Sequence, residues 1–188
     1  MAPSISPRRG VKKGPVIVRP FEEGPPSPRD IEAVLWNAYV DEGYTEPDVA
    51  KLKLTCEAVL ARGQVLCAWG ADPQPSLQGL VIVVPPTSPA RQIAAPDEAE
   101  LHLLAVRRAF RGAGVGSHLV RSAIDTAARS GYVRMVLRTR TTMLAAQRIY
   151  VGNGFVRAEH RDAAIAESTG RAFLVFERGP GSATPHRS

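Results

Sequence analysis

Two apolar periods alternate along this chain. Glu98 to Val106 is an extended, apolar-rich run, and after the glycine-rich stretch Arg111 to Ser117 the residues Leu119, Val120, Ala123, Ile124, Ala127 and Ala128 recur at helical spacing. Tyr132 to Arg138 returns to alternation through Val133, Met135 and Leu137, and Ala145 to Tyr150 turns helical again before Gly152-Asn153-Gly154, residues tolerant of positive φ, end the helix. Upstream, Val16 to Arg19 is a short strand. Phe21 to Pro26 links it to Ser27-Pro28-Arg29-Asp30, which has the hydroxyl, proline and acid of a helix start. Ile31, Val34, Leu35, Ala38 and Tyr39 supply that helix's buried face, and Gly43 ends it. Thr45-Glu46-Pro47-Asp48 begins a second helix with Val49, Leu52, Cys56 and Val59 on one face. Gln64 to Trp69 and Gln78 to Val84 read as strands joined by a turn over Asp72 to Pro75, and Phe155 to Ala158 and Ala172 to Glu177 as the last two strands, paired across His160 to Gly170. Strands and helices in alternation predict an α/β domain.

Composition narrows the class. The 188 residues, 44% hydrophobic and 22% charged, suit one domain with a real core. The longest apolar run, Leu80 to Val84, is far short of a membrane span, and no secretory signal opens the chain, so a cytoplasmic location is expected and no membrane partner. Cys56 and Cys67 offer neither a disulfide framework nor paired metal-ligand spacing; no metal is expected. The net charge of +6 raises the question of nucleic acid. Residues 1–20 hold five bases and no acid, and residues 178–188 add Arg178 and Arg187 with no acid, which leaves 17 bases against 18 acids between them. The basicity therefore belongs to tails rich in Pro, Ser and Gly. Residues 1–14 and 179–188 are expected to be disordered, 15–178 to form the domain, and nucleic acid to make loose tail contacts at most.

A glycine turn feeding a helix leaves backbone N–H groups unpaired at the positive end of the helix dipole, a ready phosphate cradle. Arg111-Gly112-Ala113-Gly114-Val115-Gly116 lacks the lysine of a P-loop, and the dinucleotide fingerprint fails because no third glycine follows Gly116 at the required place. The pattern Arg111-x-x-Gly114-x-Gly116 instead resembles the acyl-CoA pyrophosphate motif of the GNAT superfamily of N-acetyltransferases. Glu100 to Val106 resembles that family's fourth strand, and Ala145 to Phe155 resembles its second motif, a helix ending in Tyr-x-x-x-Gly-Phe. The resemblance covers nearly all of the body. It implies a mixed central sheet of six to seven strands, splayed between the fourth and fifth, flanked by four helices. It also implies acetyl transfer from acetyl-CoA to a primary amine by direct attack in a ternary complex, with a homodimer as one assembly.

Amine acylation sets the further expectations. An alkyl ammonium with pKa about 10.4 is only roughly 0.04% neutral at pH 7, so a base must take its proton. The resemblance points to Glu100 as that base, with ordered water as the alternative, and to Tyr150 as the acid for the leaving thiolate. Leu104, Ala105 and Val106 would flank the cofactor arm, with an N–H near Val106 meeting the oxyanion. Arg111, Gly112, Ala113, Gly114, Val115, Gly116 and Ser117 would hold the pyrophosphate, with Arg107 and Arg108 adding charge. Met143 stands where many members of the family place Asn. Asp41 to Asp48 carries four acids and no base, which suggests a small cationic acceptor, or a protein amine, unless Glu46 and Asp48 only complement a helix dipole. Pro85 to Asp97, with four prolines in thirteen residues, is a solvated loop or a lid. His102, His118 and His160 carry no partner pattern. A CoA-sensing module without turnover and a basic-tailed interaction protein are the rival classes.

Overall fold

The computed structural model of the chain describes residues 15–23, 27–70, 76–162 and 172–179. Seven strands, β1 (Val16–Pro20), β2 (Gln64–Gly70), β3 (Leu77–Val84), β4 (Glu98–Val106), β5 (Arg134–Arg140), β6 (Val156–Arg157) and β7 (Phe173–Arg178), form one sheet in the order β1-β2-β3-β4-β5-β7-β6. Neighbours are antiparallel except β4 and β5, which run parallel. A parallel pair needs a crossover, and α4 (Val115–Arg129) supplies it. The remaining helices are α1 (Pro28–Leu35), α2 (Pro47–Lys53), α3 (Cys56–Leu60) and α5 (Leu144–Gly152).

Helices cover both faces, so β2 and β3 bury residues of both parities and read as continuous apolar runs. Leu66, Ala68, Val81 and Val83 pack with Leu119, Val120 and Ala123 of α4. Val65, Cys67, Leu80 and Ile82 pack with Ile31, Val34 and Leu35 of α1 and Val59 of α3. Among the described residues there are thus two large cores, one on each side of the sheet, and a small cluster around Ala158 and Val175.

The start of α1 is built as its sequence indicates. The Ser27 hydroxyl accepts the Asp30 N–H at 3.3 Å and the Asp30 carboxylate accepts the Ser27 N–H at 3.0 Å. Past Leu35 the helix widens into a π-helical turn over Trp36–Val40, closed by the Asp41 N–H on the Trp36 carbonyl at 3.2 Å. The second expected helix is broken in two, giving five α-helices among the described residues where four were expected. Leu54 leaves the helical region at φ −112° and ψ 15°, and the Thr55 hydroxyl accepts the Ala58 N–H at 3.2 Å to cap a new helix. Val49 and Leu52, expected on the buried face, are consequently 43% and 77% exposed. The fifth strand begins two residues later than expected, because its ladder to β4 starts at Glu98 opposite Arg134. The expected turn over Asp72 to Pro75, the tails apart from Gly179 and most of the His160 to Gly170 connection lie outside the described residues; the first part of that connection belongs to a 3-10 turn over Glu159–Arg161.

One irregularity in β4 positions the site. Across β3, Leu80 faces Ala105 but Ile82 faces His102, so β4 spends one extra residue there. Leu103 takes it up at φ 50°. A β-bulge reverses side-chain parity beyond it. Ala99 and Leu101 join the α4 core, and after the bulge so do Leu104 and Val106, whereas Leu103 and Ala105 face the α1 core.

Candidate active site

β4 runs out through a 3-10 turn at Arg108–Phe110 into the glycine loop. Gly112 has φ 75° and Gly114, the N-cap of α4, φ 85°, both in the left-handed region that strains any residue with a Cβ. Gly116 has a different reason to be glycine: a Cβ there would lie 2.8 Å from Ile149 Cδ1, so its absence lets α4 approach α5. The first rung of α4 is the His118 N–H on the Gly114 carbonyl at 3.1 Å, so the N–H groups of Val115, Gly116 and Ser117 precede the ladder. These three residues border a cavity of about 500 Å³ with an apolar floor of Leu104, Val106, Ala146 and Ile149.

Beyond that floor the sheet opens. β4 and β5 pair only at Glu98 with Arg134, Ala99 with Met135 and Glu100 with Val136, and then diverge. A second cavity of about 290 Å³ lies along the divergence, bounded by His102 and Leu103 of β4, Arg138 and Arg140 of β5, Tyr150 of α5 and Arg62 of the helical side. Tyr39, Tyr44, Leu104 and Met143 border both cavities. The Tyr39 hydroxyl donates to the Leu104 carbonyl at 3.2 Å across this junction. The arrangement is a two-chambered cleft: the glycine loop and the N-terminus of α4 at one end, a polar chamber at the other, and a strand edge that β5 has left between them.

The sequence profile of the acetyltransferase (GNAT) family matches residues 29–155, which holds the cradle, the splay and α5. The chain belongs to this family. A rat protein named N-acetyltransferase 8F1 is 30% identical over 93 residues, 50% of this chain and 41% of its own length, so the chain spans less than half of this curated relative. Among solved structures, a Bacillus subtilis acetyltransferase in complex with CoA aligns with a TM-score of 0.62 at 18% identity, over 88% of this chain and 99% of its own. A GNAT family acetyltransferase from Brucella melitensis in complex with acetyl-CoA aligns with a TM-score of 0.57 at 18% identity, over 92% and 93%. At that identity these two show the shared fold.

The GNAT cleft gathers most of the residues expected from the sequence. Leu104, Val106, Arg111, Gly112, Gly114, Val115, Gly116 and Ser117 line the larger cavity. Ala105 does not: it is 1% exposed and sits in the α1 core, because the bulge turns it there. Ala113 packs against the α4 core instead of lining the cavity. Of the three arginines, only Arg111 borders the cavity, and it is held by the Glu42 carboxylate at 2.8 Å and the Val106 carbonyl at 3.2 Å. Arg107 lies 3.7 Å from Asp30, and the Arg108 N–H donates to Asn37 at 3.3 Å.

Tyr150 borders the smaller cavity, with its ring against Phe155 and Phe176 at centroid distances of 5.9 and 6.1 Å. Burial, helped by nearby Tyr39, pushes its hydroxyl far above the ordinary phenol value, so it stays protonated. Glu100 is elsewhere than expected. It is 0% exposed and borders neither cavity. One oxygen accepts the N–H groups of Gln92, Ile93 and Ala94 at 2.9, 3.1 and 3.4 Å, and the other meets His102 Nε2 at 2.8 Å. Burial works to raise its pKa, but the His102 contact and the loop amides outweigh it and hold the carboxyl below its usual range. In the Pro85 to Asp97 connection the Gln92, Ile93 and Ala94 amides hold Glu100, and Gln92 also borders the smaller cavity.

An ionised carboxylate only accepts hydrogen bonds, so Nε2 of a neutral His102 carries the proton and Nδ1 the lone pair. His102, read from the sequence as carrying no partner pattern, has one, and the signal was Glu100-x-His102, which places both on one face of a strand. Arg138 and Arg140, not singled out in the sequence, reach the smaller cavity from the parity opposite to Met135 and Leu137. The expectation of a cationic acceptor from Asp41 to Asp48 is not supported by the cleft. Glu42 is bound to Arg111, Asp41 accepts from Asn37, Asp48 pairs with Lys51 at the surface, and only Tyr44 and Thr45 of the segment reach the smaller cavity.

Proposed function

We propose that this chain moves an acetyl group from acetyl-CoA to a primary amine, a small molecule or a protein amine, by direct attack while both are bound. The observation that carries it is the divergence of β4 from β5 between two joined cavities, one ending in the glycine cradle and the other in His102 and Tyr150. The rat relatives named as N-acetyltransferases support nitrogen as the accepting atom, and the CoA-bound neighbours support the choice of donor.

Acetyl-CoA, when bound, supplies the acyl group activated as a thioester. The cradle fits its pyrophosphate: Gly112 and Gly114 keep the approach clear of side chains, the N–H groups of Val115, Gly116 and Ser117 donate, and Arg111 adds charge. Leu104 and Val106 present the edge of β4 that β5 has left, where a backbone N–H near Val106 would donate to the developing oxyanion.

The proton route starts at the amine. His102 Nδ1 takes one proton from the nitrogen, with Glu100 fixing the ring through Nε2. In this reading Glu100 is a positioning group and His102 the base. Tyr150 donates a hydrogen bond to the departing thiolate. A thiol is ordinarily more acidic than a phenol, so this bond stabilises the thiolate as it leaves, and the proton lost by nitrogen balances the one finally gained by sulfur.

Calorimetric titration of acetyl-CoA into the protein tests the donor, with Gly114→Asp and Gly116→Asp as controls. Micromolar binding lost in both variants is expected. In a thiol-release assay with a panel of amines, Tyr150→Phe should lower kcat by roughly 100-fold or more with acetyl-CoA affinity kept. A well-folded protein with no affinity for acetyl-CoA would overturn the reading.

A further inference from the structure

We infer that the amine accepted in the smaller cavity carries a carboxylate of its own, a class set by the basic lining around His102; this rests on the acetyl-transfer reading above. Arg138 and Arg140 enter from β5, Arg62 and Lys53 from the helical side, and among the described residues no aspartate or glutamate borders the cavity. The nearby carboxylate, Glu100, lies behind His102 with both oxygens already engaged.

These guanidinium groups differ from other half-buried arginines of the chain. Arg107, Arg134, Arg157 and Arg161 each have a carboxylate partner, at distances up to 3.7 Å. Among the described residues, Arg62, Arg138 and Arg140 have no carboxylate within the 4.0 Å of an ion pair. Arg62 donates to the Lys53 carbonyl at 2.7 Å, and Arg138 lies 4.5 Å over the Phe173 ring. Partial burial lowers the pKa of both, with Tyr39 and Glu100 acting in the opposite direction. Cations withdrawn from water without a counter-anion are costly, and a bound carboxylate removes that cost with the bidentate geometry that guanidinium groups favour.

The same arrangement disfavours a polyamine or an aminoglycoside, which would bring further positive charge into the chamber. Anchoring the carboxylate on the β5 side leaves the amine of the same molecule to reach His102 on β4, across the opening that leads to the cofactor chamber. A positive surround also favours the neutral form of that amine, which is the form that attacks.

Matched acceptors decide the matter: amino acids against their own carboxamides, and diamines as a third group, assayed by thiol release on protein whose acetyl-CoA affinity is measured in the same preparation. The carboxylate form should exceed its carboxamide at least tenfold in kcat/KM. Arg138→Gln and Arg140→Gln should erase that ratio while leaving acetyl-CoA affinity unchanged. Equal or better turnover of carboxamides or diamines would overturn the inference. So would protein that binds acetyl-CoA but acetylates none of the carboxylate-bearing amines. Protein that fails to bind acetyl-CoA would overturn the transferase reading, and this inference with it.

Discussion

In the proposed reaction His102 and Glu100 divide one chemical task between a ring that borders the cleft and a charge that does not. Glu100 is fully buried and satisfied by the Gln92, Ile93 and Ala94 amides, so it cannot approach an amine, but its charge fixes which nitrogen of His102 is free. Removing the ring and removing the charge should therefore have different signatures. His102→Gln should lower kcat/KM at neutral pH by roughly 100-fold, since the group that takes the amine's proton is gone. Glu100→Gln should lower it less, because the ring remains and only the carboxylate that selects its free nitrogen is lost. Steady-state kinetics of the two variants with acetyl-CoA binding as control make the comparison. An undiminished rate in His102→Gln together with an abolished one in Glu100→Gln would restore the direct role to Glu100.

At the scale of the element, the glycine loop and the β4 bulge carry the cleft. Gly114 at φ 85° and Gly152 near the end of α5 are both glycines beside helices, yet a Cβ is costly at the first for backbone reasons and meets nothing within 4 Å at the second. Gly114→Ala should destabilise the protein by about 1 to 2 kcal/mol. Gly152→Ala should stabilise it by about 0.5 to 1 kcal/mol, since Gly152 stands inside a helix. Chemical denaturation of the two variants reads both signs, and equal effects would show that the left-handed turn is not what selects glycine at 114. The bulge works through parity: its extra residue at Leu103 leaves Glu100 and His102 on one face and sends Leu104 and Val106 to the other.

At the scale of the whole molecule, the far half of the sheet is held by a charged network below the splay. Arg161 meets Glu98 at 2.8 Å, Arg134 meets Glu98 at 3.3 Å and Glu177 at 3.5 Å, and the Arg157–Asp162 pair fastens β6 to the segment before β7. Burial tends to raise Glu98, but Arg161, the Ala95 amide and Arg134 hold it below its ordinary 4.5; Asp162 is held below 3.8 first by Arg157, and Glu100 below 4.5. All three have folded pKa values below their unfolded ones. They bind protons more tightly when unfolded, so their contribution is fully present above the unfolded values and is lost as pH falls through the folded ones. The thermal midpoint should be nearly flat from about pH 6 to 8 with respect to these groups and fall steeply below about pH 4. Glu98→Gln should shallow that fall, and a slope identical to wild type would remove Glu98 from the account.

The amino-acid sequence by itself determined the features that depend on neighbours along the chain. Gly112 and Gly114 before an amphipathic run specify a cradle because only backbone geometry is involved, Ser27-Pro28-x-Asp30 specifies a cap, and the lone parallel pair follows from a strand, a long helix and a strand in succession. Tertiary structure alone decided what depends on one residue of register or on distant partners. The capping preference of Thr55 was local but overlooked beneath an apolar periodicity that continued through it. The β4 bulge needed β3 as its ruler, and without it Glu100 and Val106 count to the same face. Whether Glu100 met substrate or a proline-rich loop depended on where Gln92 to Ala94 packed, and whether the cleft was acidic or basic depended on which of Asp41 to Asp48, Arg138 and Arg140 turned toward it. Charge in a sequence has a sign and a position along the chain; the direction in which it points is set by packing.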